Sequence, residues 1–252
     1  MVAPARKKIR ANTELMNPPV RPPNGSTTEN LVQARLELLK MRYGQNGVST
    51  GPAIDTGYTT LRETLADFRA DLNRYSSFGE SSRRIALNPA VWCILWYRLG
   101  RWIYSGGNLS WSRFPLKVAH VAGSVWIEAF LQMRLNVKAR IGPGLLIAHC
   151  GGITLHPDVI IGRHCDLAHH VTLGTLGAGK SGVPKLGDNV YLGTNAVVVG
   201  PILIGNGARI AANSLVNRDV PAGATVMGVP AVVVKQRELQ EADSLGALVS
   251  HQ

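Results

Sequence analysis

The stretch Leu186 to Pro221 reads LGDNVY LGTNAV VVGPIL IGNGAR IAANSL VNRDVP when it is divided every six residues. The first residue of each hexad is aliphatic, and the fifth is small or apolar. The fourth is Asn, Gly, Asp or, once, Pro, and these residues favour tight turns. One inward aliphatic residue and one turn make a short strand with a corner, and three such units close a triangular coil. The stretch therefore predicts a parallel β-helix of hexapeptide repeats.

The same register continues towards the N-terminus of the chain. Its aliphatic first positions are Ile141, Ile147 and Ile153, then Ile161, Leu167 and Leu173 after a short insertion around His156-Pro157-Asp158. A Gly-rich interruption separates Leu173 from Leu186. We therefore predict a β-helix domain over residues 141–234, with a loop at 174–185.

The chain before the repeats has helical periodicity. In "TTLRETLADFRADLNRY", apolar residues at Leu61, Leu65, Phe68 and Leu72 are spaced by four, three and four. Further helices are expected at 89–105 and 115–135. The fold class is thus α+β, with a helical domain over 58–140, a largely disordered leader at 1–57 and a tail at 235–252.

The net charge of +11 is concentrated in the N-terminal half. Residues 91–140 hold seven Lys and Arg against one acidic residue, and also all five tryptophans. This composition fits peripheral contact with an anionic membrane, or packing against neighbouring subunits. Charged residues interrupt both apolar runs, so neither predicts a spanning helix. Three cysteines without a C-x-x-C pair, and no export signal, favour a cytoplasmic protein, at most peripheral at the inner membrane face.

Five of the seven histidines lie between residues 149 and 170. His149 and His169 are third residues of their hexads, three hexads apart. One full coil separates them, so they are expected on one face of adjacent coils, about 4.8 Å apart. His164 and His170 are assigned to corners and His156 to the insertion.

Clustered histidines also suggest a metal site of the kind that γ-type carbonic anhydrases place between left-handed β-helices. His164 and His169 have the five-residue interval of that family. His164 falls at a corner, however, and no third histidine occupies a matching coil. No metal is therefore expected.

The chain from about Asp67 to Val234 resembles the serine O-acetyltransferase-related branch of hexapeptide-repeat acyltransferases, particularly the exopolysaccharide (colanic-acid-type) O-acetyltransferases. The motifs are "DFRAD", "YRLGRW", "IGPGLLIAHCGGITL", "VTLGTLGAGK", the hexads and "DVPAGATVMGVPAVVV". The resemblance implies a left-handed coil, against the usual crossover rule.

The resemblance also implies the chemistry. His149, in an I-x-H context, would be the general base that takes the proton of an acceptor hydroxyl as it attacks the thioester of acetyl-CoA, without an acyl-enzyme. His169 would help to keep His149 neutral. Coenzyme A would lie between adjacent subunits of a homotrimer. The predicted cofactor-binding residues are Gly174, Thr175, Gly177 and Lys180 of the Gly-rich loop, which offers backbone N–H donors to an oxyanion, with Gly193, Ala196 and Pro230.

Three residues depart from the serine acetyltransferase pattern. The aspartate that orients the base is replaced by Arg134, the aspartate that holds the serine amine by Ala148, and a histidine by Val183. These departures favour a sugar hydroxyl of an exopolysaccharide or its lipid-linked intermediate as the acceptor.

Several alternatives remain open at this stage. They are a serine O-acetyltransferase of cysteine biosynthesis, a zinc enzyme like the γ-carbonic anhydrases and a non-catalytic trimeric scaffold. Whether trimers pair through the helical domain is also open. Nucleic acid is not an expected partner.

Overall fold

The structure is a computed structural model, and it describes residues 60–77, 79, 81–105, 113–177 and 182–236. The predicted leader, residues 1–57, lies outside the described residues, as does the predicted tail beyond Gln236. The described residues all fall within one compact unit of the chain.

The described part begins with helices. They are α1 (Leu61–Ser77), α2 (Ser82–Leu87), α3 (Pro89–Ser105) and α4 (Phe114–Leu131). The helix predicted at 89–105 is confirmed. The last helix ends before the predicted residue 135, because Gln132 adopts a left-handed φ of 50° while its N–H still bonds the Glu128 carbonyl.

Short strands follow α4 with the repeat of the hexads. The strands are β1 (Met133–Arg134), β2 (Arg140–Ile141), β3 (Leu146–Ile147), β4 (Ile153–Leu155), β5 (Ile160–Ile161), β6 (Asp166–Leu167), β7 (Thr172–Gly174), β8 (Lys185–Leu186), β9 (Tyr191–Leu192), β10 (Val197–Val199), β11 (Leu203–Ile204), β12 (Arg209–Ile210), β13 (Leu215–Val216), β14 (Ala224–Gly228) and β15 (Ala231–Gln236). The first strand lies before the predicted start at residue 141, and the last extends past residue 234.

Every third strand pairs in parallel, which produces a three-sided coil. The sheets have the orders β1-β4-β7-β10-β13, β11-β8-β5-β2 and β15-β14-β12-β9-β6-β3. Among the described strands, only β15 runs antiparallel, where it folds back on β14. The fold is therefore the predicted one, helices followed by a left-handed parallel β-helix.

The register predicted for the six hexads is confirmed. All first-position and fifth-position side chains from Leu186 to Val220 point into the coil and are at most 5% exposed. Fourth-position residues turn the corners, and Asn189, Asn195, Gly207 and Asn213 have φ between 56° and 66°. Asn and Gly tolerate this left-handed conformation better than other residues do.

The predicted position of the insertion was wrong. Ile147 pairs with Leu167, and Leu155 pairs with Leu173. The step from Ile147 to Leu155 is eight residues, whereas the step between their partners, from Leu167 to Leu173, is six. The two extra residues therefore lie before Ile153, at the corner between β3 and β4, and not around His156. Ile153 is a fifth-position residue. Because Ile153 and Leu155 are both aliphatic and buried, the sequence pattern could not tell which one begins the hexad.

Helices α1 and α3 cover the open end of the coil through two tyrosine hydroxyls. The Tyr97 hydroxyl donates to the Ala139 carbonyl (2.7 Å) and accepts from the Ile141 N–H (3.2 Å). The Tyr75 hydroxyl donates to the Ile147 carbonyl (2.9 Å) and accepts from the Ile147 N–H (3.2 Å). Edge strands leave such backbone groups unpaired. The two tyrosines therefore bond backbone groups of the first coil at the edge where no described strand pairs with it.

A buried ion pair joins the same helices. The Arg98 guanidinium donates to both carboxylate oxygens of Asp71, at 2.9 and 3.0 Å, and to the carbonyls of Ile141 and Gly142. Asp71 also accepts from the Leu145 N–H. The pair thus fastens α1 and α3 to the coil.

The buried face of α1 is not the predicted apolar face. The sequence predicted an apolar face that includes Leu61 and Leu65, but these side chains are 43% and 52% exposed. The buried residues are Thr64, Asp71 and Tyr75. The helix turns this face inward because the polar partners of Asp71 and Tyr75 lie on the coil.

No helix among the described residues is long and apolar enough to cross a membrane.

Candidate active site

His149 and His169 lie side by side on adjacent coils, as the sequence predicted. They follow β3 and β6, which pair with Ile147 opposite Leu167. Their ring centroids are 6.0 Å apart, and the rings meet edge to face at 67°. His149 is exposed and His169 is half-buried, so the pair presents one accessible imidazole beside one shielded imidazole.

The corner that carries His149 holds the two extra residues. Its turn uses Gly151 and Gly152, with φ of 117° and 63°. A methyl group on Gly152 would lie 2.0 Å from Nδ1 of His170, so the imidazole of His170 packs directly over this glycine. The two glycines let the chain rejoin the regular coil at Ile153.

His169 is held between two other imidazoles. Its ring centroid is 5.3 Å from that of His170, in addition to its contact with His149. Its Nδ1 atom is buried and has no hydrogen-bond partner among the described residues. A polar atom in this state is costly, which makes His169 a candidate for a polar contact with a bound molecule.

The remaining histidines of the cluster are corner residues. His164 and His170 both have left-handed backbone, with φ of 54° and 58°, which confirms their predicted corner positions. His156 directly follows β4 at a regular corner, and its Nδ1 accepts the Asp158 N–H at 3.2 Å. Its predicted place in an insertion was therefore wrong.

Metal ligation was considered for this cluster. Within the ranges that the structure describes, no group of three His, Cys, Asp or Glu side chains is placed to hold a metal ion. His164 and His170 instead occupy corners, while His149 and His169 face each other on adjacent coils.

The predicted cofactor-binding residues fall into different environments. Thr175 and Gly177 are exposed on the excursion after β7, and Gly174 is half-buried at its start. Lys180 lies outside the described residues. This excursion packs back on the coil, because Leu176 contacts Gly200 and Gly182 contacts Pro201.

Two other predicted cofactor residues serve the coil itself. Ala196 is fully buried, and its N–H and C=O bond Gly193 and Thr172. A methyl group on Gly193 would lie 2.6 Å from the backbone nitrogen of Ala212, so this glycine permits adjacent coils to stack. Neither can offer a side chain to coenzyme A. Pro230 is exposed at the turn between β14 and β15.

The residues that depart from the serine acetyltransferase pattern do not crowd His149. Arg134 is 57% exposed and forms an ion pair with Glu128 of α4, so its guanidinium is engaged on the surface. Ala148 is exposed directly beside His149, and Val183 packs against the core.

Sequence reasoning missed the residues that lie beside the two histidines or bond the strands before them. Tyr75 holds both backbone polar groups of Ile147, two residues before His149. Cys150 is half-buried next to His149, and burial raises the pKa of its thiol. Arg74 of α1 pairs with Asp166 of β6, three residues before His169. The tyrosine and arginine contacts span more than 70 residues, and no local pattern signals them.

A separate cavity of about 310 Å³ lies between α3, α4 and residues 133–137. Its lining includes His120 and Glu128 but neither His149 nor His169. The cavity is therefore distinct from the histidine pair.

The sequence of the chain is similar to those of known hexapeptide-repeat proteins. The family model "Bacterial transferase hexapeptide (six repeats)" matches residues 184–218. A serine acetyltransferase of Synechococcus elongatus is 31% identical over 179 residues, covering 69% of this chain and 68% of that protein.

Solved structures are similar to this chain too. The Brucella abortus serine acetyltransferase in complex with coenzyme A has 25% identity and a TM-score of 0.61, over 71% of this chain and 70% of that chain. The Neisseria gonorrhoeae enzyme in complex with serine has 28% identity and a TM-score of 0.60, over 69% and 70%.

These relatives overturn the predicted acceptor. The expectation of a sugar hydroxyl in exopolysaccharide synthesis was wrong, because the relatives are serine acetyltransferases rather than polysaccharide O-acetyltransferases. The expectation relied in part on Arg134 in place of the orienting aspartate, whereas the Arg134 side chain is paired at the surface with Glu128.

The comparisons also decide between the enzyme and scaffold alternatives, since the relatives are acetyltransferases. The chain thus belongs to the hexapeptide-repeat acyltransferase family, and the relatives that it matches over two thirds of their length are serine acetyltransferases.

Proposed function

We propose that this enzyme transfers the acetyl group of acetyl-CoA to the hydroxyl of L-serine, with His149 as the general base. The observation that carries the proposal is the pairing of exposed His149 with His169 on adjacent coils, in a chain whose relatives are serine acetyltransferases. The activity would supply O-acetylserine for cysteine synthesis.

The proposed reaction needs one base and no covalent enzyme intermediate. A neutral His149 takes the proton of the serine hydroxyl as its oxygen attacks the thioester carbonyl. The tetrahedral intermediate then collapses, the C–S bond breaks, and the imidazolium returns the proton to the leaving thiolate. The products are O-acetylserine and free coenzyme A. A hydroxyl is a weak nucleophile near neutral pH, so this proton transfer is where a base contributes most.

His169 has a supporting role in this proposal. The ring centroid of His169 lies 6.0 Å from that of His149. The edge-to-face contact limits the orientations of the His149 ring. His169 is thus a positioning residue.

Acetyl-CoA would bind beside the excursion after β7. Thr175 and Gly177 are exposed there, so their backbone N–H groups can reach a bound thioester or its oxyanion. Gly193 and Ala196 offer no side chain to the cofactor, because their side-chain positions face the coil. They would only form part of the surface on which the cofactor lies.

The enzyme is further proposed to act as a homotrimer. By the resemblance, coenzyme A lies between adjacent subunits, so a single coil would provide only half of its groove. Sedimentation velocity should therefore show a trimer, or a multiple of it. A stable monomer with full turnover would contradict this part of the proposal.

The residue before His149 differs from the serine acetyltransferase pattern at the position that binds the serine ammonium. By resemblance, an aspartate before the base holds the serine ammonium, and here that residue is Ala148. Ala148→Asp should therefore lower the KM for L-serine without changing the KM for acetyl-CoA. Ala148→Asn is the matched control, because it adds the same bulk without the charge.

The decisive experiment measures release of coenzyme A by purified enzyme when L-serine is added to acetyl-CoA. Product analysis should identify O-acetylserine. D-Serine tests the placement of the two charged groups about the α-carbon, and L-serine methyl ester tests recognition of the carboxylate. Both should be poorer acceptors. Absence of L-serine-dependent turnover in folded, acetyl-CoA-binding protein would overturn the proposed acceptor.

A further inference from the structure

A column of outward side chains runs along the sheet whose strands lead into the two candidate histidines. The pairs of this sheet place Asp166 opposite Tyr191, Tyr191 opposite Arg209, and Arg209 opposite Thr225. Each of these residues directly precedes a buried residue of its strand, so the column faces away from the core. Lys235 of β15 lies opposite Thr225 in an antiparallel pair and therefore shares its face. We call Arg209, Thr225 and Lys235 the cationic column.

The positive charges of the cationic column are not neutralised by carboxylates. Neither Arg209 nor Lys235 forms an ion pair within the part of the chain that the structure describes. Asp166, the acidic residue of the same face, is already paired with Arg74 of α1. Arg209 and Lys235 are exposed, and Thr225 between them is half-buried. This end of the sheet therefore offers an anion two positive charges with a hydroxyl between them.

The guanidinium of Arg209 is held by the aromatic ring of Tyr191 on the neighbouring strand. Its Cζ atom lies 4.6 Å from the centroid of that ring. Stacking of this kind uses the flat face of the guanidinium and leaves the N–H donors at its edge available. An arginine that is already held loses less side-chain freedom when it binds an anion, so the contact favours binding.

The spacing of the strands relates the cationic column to the histidine pair. Neighbouring strands are about 4.8 Å apart, so Arg209 and Lys235 are separated by about 10 Å across Thr225. Strand β12 lies two strands beyond β6, which is about 10 Å along the coil, and Arg209 is three residues, or about another 10 Å, from the position equivalent to His169. The backbone of Arg209 is therefore about 14 Å from that of His169.

The chemistry of acetyl-CoA matches both the charge and the separation. Its thioester is at one end, its pyrophosphate and 3′-phosphate are at the other, and the pantetheine arm between them spans a distance of this order. Arginine binds phosphate through a fork of N–H donors, and lysine binds it as a point charge. L-Serine, the proposed acceptor, is too short to contact both the histidine pair and the cationic column. The column therefore suits the donor and not the acceptor.

We propose that the cationic column binds the phosphates at the nucleotide end of acetyl-CoA. Arg209 and Lys235 approach the phosphates from two sides, and the hydroxyl of Thr225 donates to them from below. The inference rests on the use of acetyl-CoA in the proposed function and holds whichever hydroxyl accepts the acetyl group.

The test measures the Kd of coenzyme A by titration calorimetry of the full chain, without any acceptor. Arg209→Met combined with Lys235→Met should raise the Kd at least about tenfold, because two charged hydrogen-bond donors are lost. Arg163→Met combined with Arg218→Met is the matched control and should leave the Kd unchanged. It removes the same charge from two exposed arginines that follow strands of the other two sheets, β5 and β13.

A second measurement identifies the part of the ligand that the column contacts. Adenosine 3′,5′-bisphosphate should displace coenzyme A from wild-type protein, and it should do so less well from the Arg209→Met, Lys235→Met protein. Inorganic phosphate at the same concentration should displace little coenzyme A. The unfolding midpoints of both double variants should stay near that of wild type, because the substituted side chains are exposed.

Three outcomes would overturn the proposal. An unchanged Kd for the Arg209→Met, Lys235→Met protein would show that the column does not contact coenzyme A. Equal losses in the two double variants would assign the effect to net charge. Inorganic phosphate that displaces coenzyme A as well as the bisphosphate does would indicate a site for free phosphate. Failure of the proposed acceptor is distinguishable, because absence of turnover with L-serine does not alter the Kd values, whereas absence of coenzyme A binding to folded wild-type protein would overturn the column and the donor together.

Discussion

The hydroxyl of Tyr75, on helix α1, bonds both the N–H and the C=O of Ile147 on strand β3, at 3.2 and 2.9 Å. Ile147 lies two residues before His149. The position of the candidate base therefore depends on a helix that precedes it by more than 70 residues.

Tyr75→Phe should destabilise the fold by about 1–3 kcal/mol, because it leaves two buried backbone groups without this partner. Urea denaturation measures the change. Tyr104→Phe is the control, since the Tyr104 side chain is 41% exposed, and it should stay within about 0.5 kcal/mol of wild type. Equal stability of the Tyr75→Phe protein would show that water replaces the hydroxyl at this edge.

His149→Ala should lower kcat by about 10²–10⁴ while the unfolding midpoint stays near that of wild type, because the side chain is exposed and outside the core. His169→Ala should cost less, because its proposed role is only to limit the orientations of the His149 ring. His156→Ala, outside the pair, should retain activity. A larger loss for His169→Ala than for His149→Ala would reverse the assignment of base and helper.

Gly152→Ala should disturb the corner of the site more than the same change at Gly207. Both glycines have left-handed backbone, with φ of 63° and 66°, which costs an alanine about 1–2 kcal/mol. At Gly207 a methyl group meets nothing within 4 Å, whereas at Gly152 it would lie 2.0 Å from Nδ1 of His170. The difference between the two unfolding free energies measures this contact. Equal values would mean that His170 moves aside freely.

Arg98→Met should destabilise the protein by about 3–5 kcal/mol, because it leaves the Asp71 carboxylate buried without its partner. The exposed pair of Arg134 and Glu128 provides the comparison, and Arg134→Met should cost no more than about 1 kcal/mol. Denaturation of both variants tests the contrast. Similar losses would indicate that water reaches Asp71.

The stability of the enzyme should fall as the pH is lowered through the usual range of histidine. Burial lowers the pKa of His120 below its ordinary value, so the unfolded chain binds the proton more readily than the folded chain does. The free energy of unfolding therefore decreases with falling pH below about 6.5, by about 1.4 kcal/mol for each unit between the two pKa values. His120→Gln should remove part of this slope in urea titrations at several pH values. An unchanged slope would assign it to other groups.

The sequence by itself determined the coil. A period of six with an aliphatic residue at each first position is a local property, and it predicted the buried side of every hexad from Leu186 to Val220. It also predicted the meeting of His149 with His169, because three units close one turn whatever surrounds them.

The tertiary structure decided the features that the six-residue period does not specify. The two extra residues lie in the corner of His149, and only the pairing of β3 and β4 with their neighbours locates them. The buried face of α1 follows Asp71 and Tyr75, whose partners are Arg98 and the backbone of the first coil. Such contacts join residues far apart in the chain, so no pattern of neighbours along the sequence contains them.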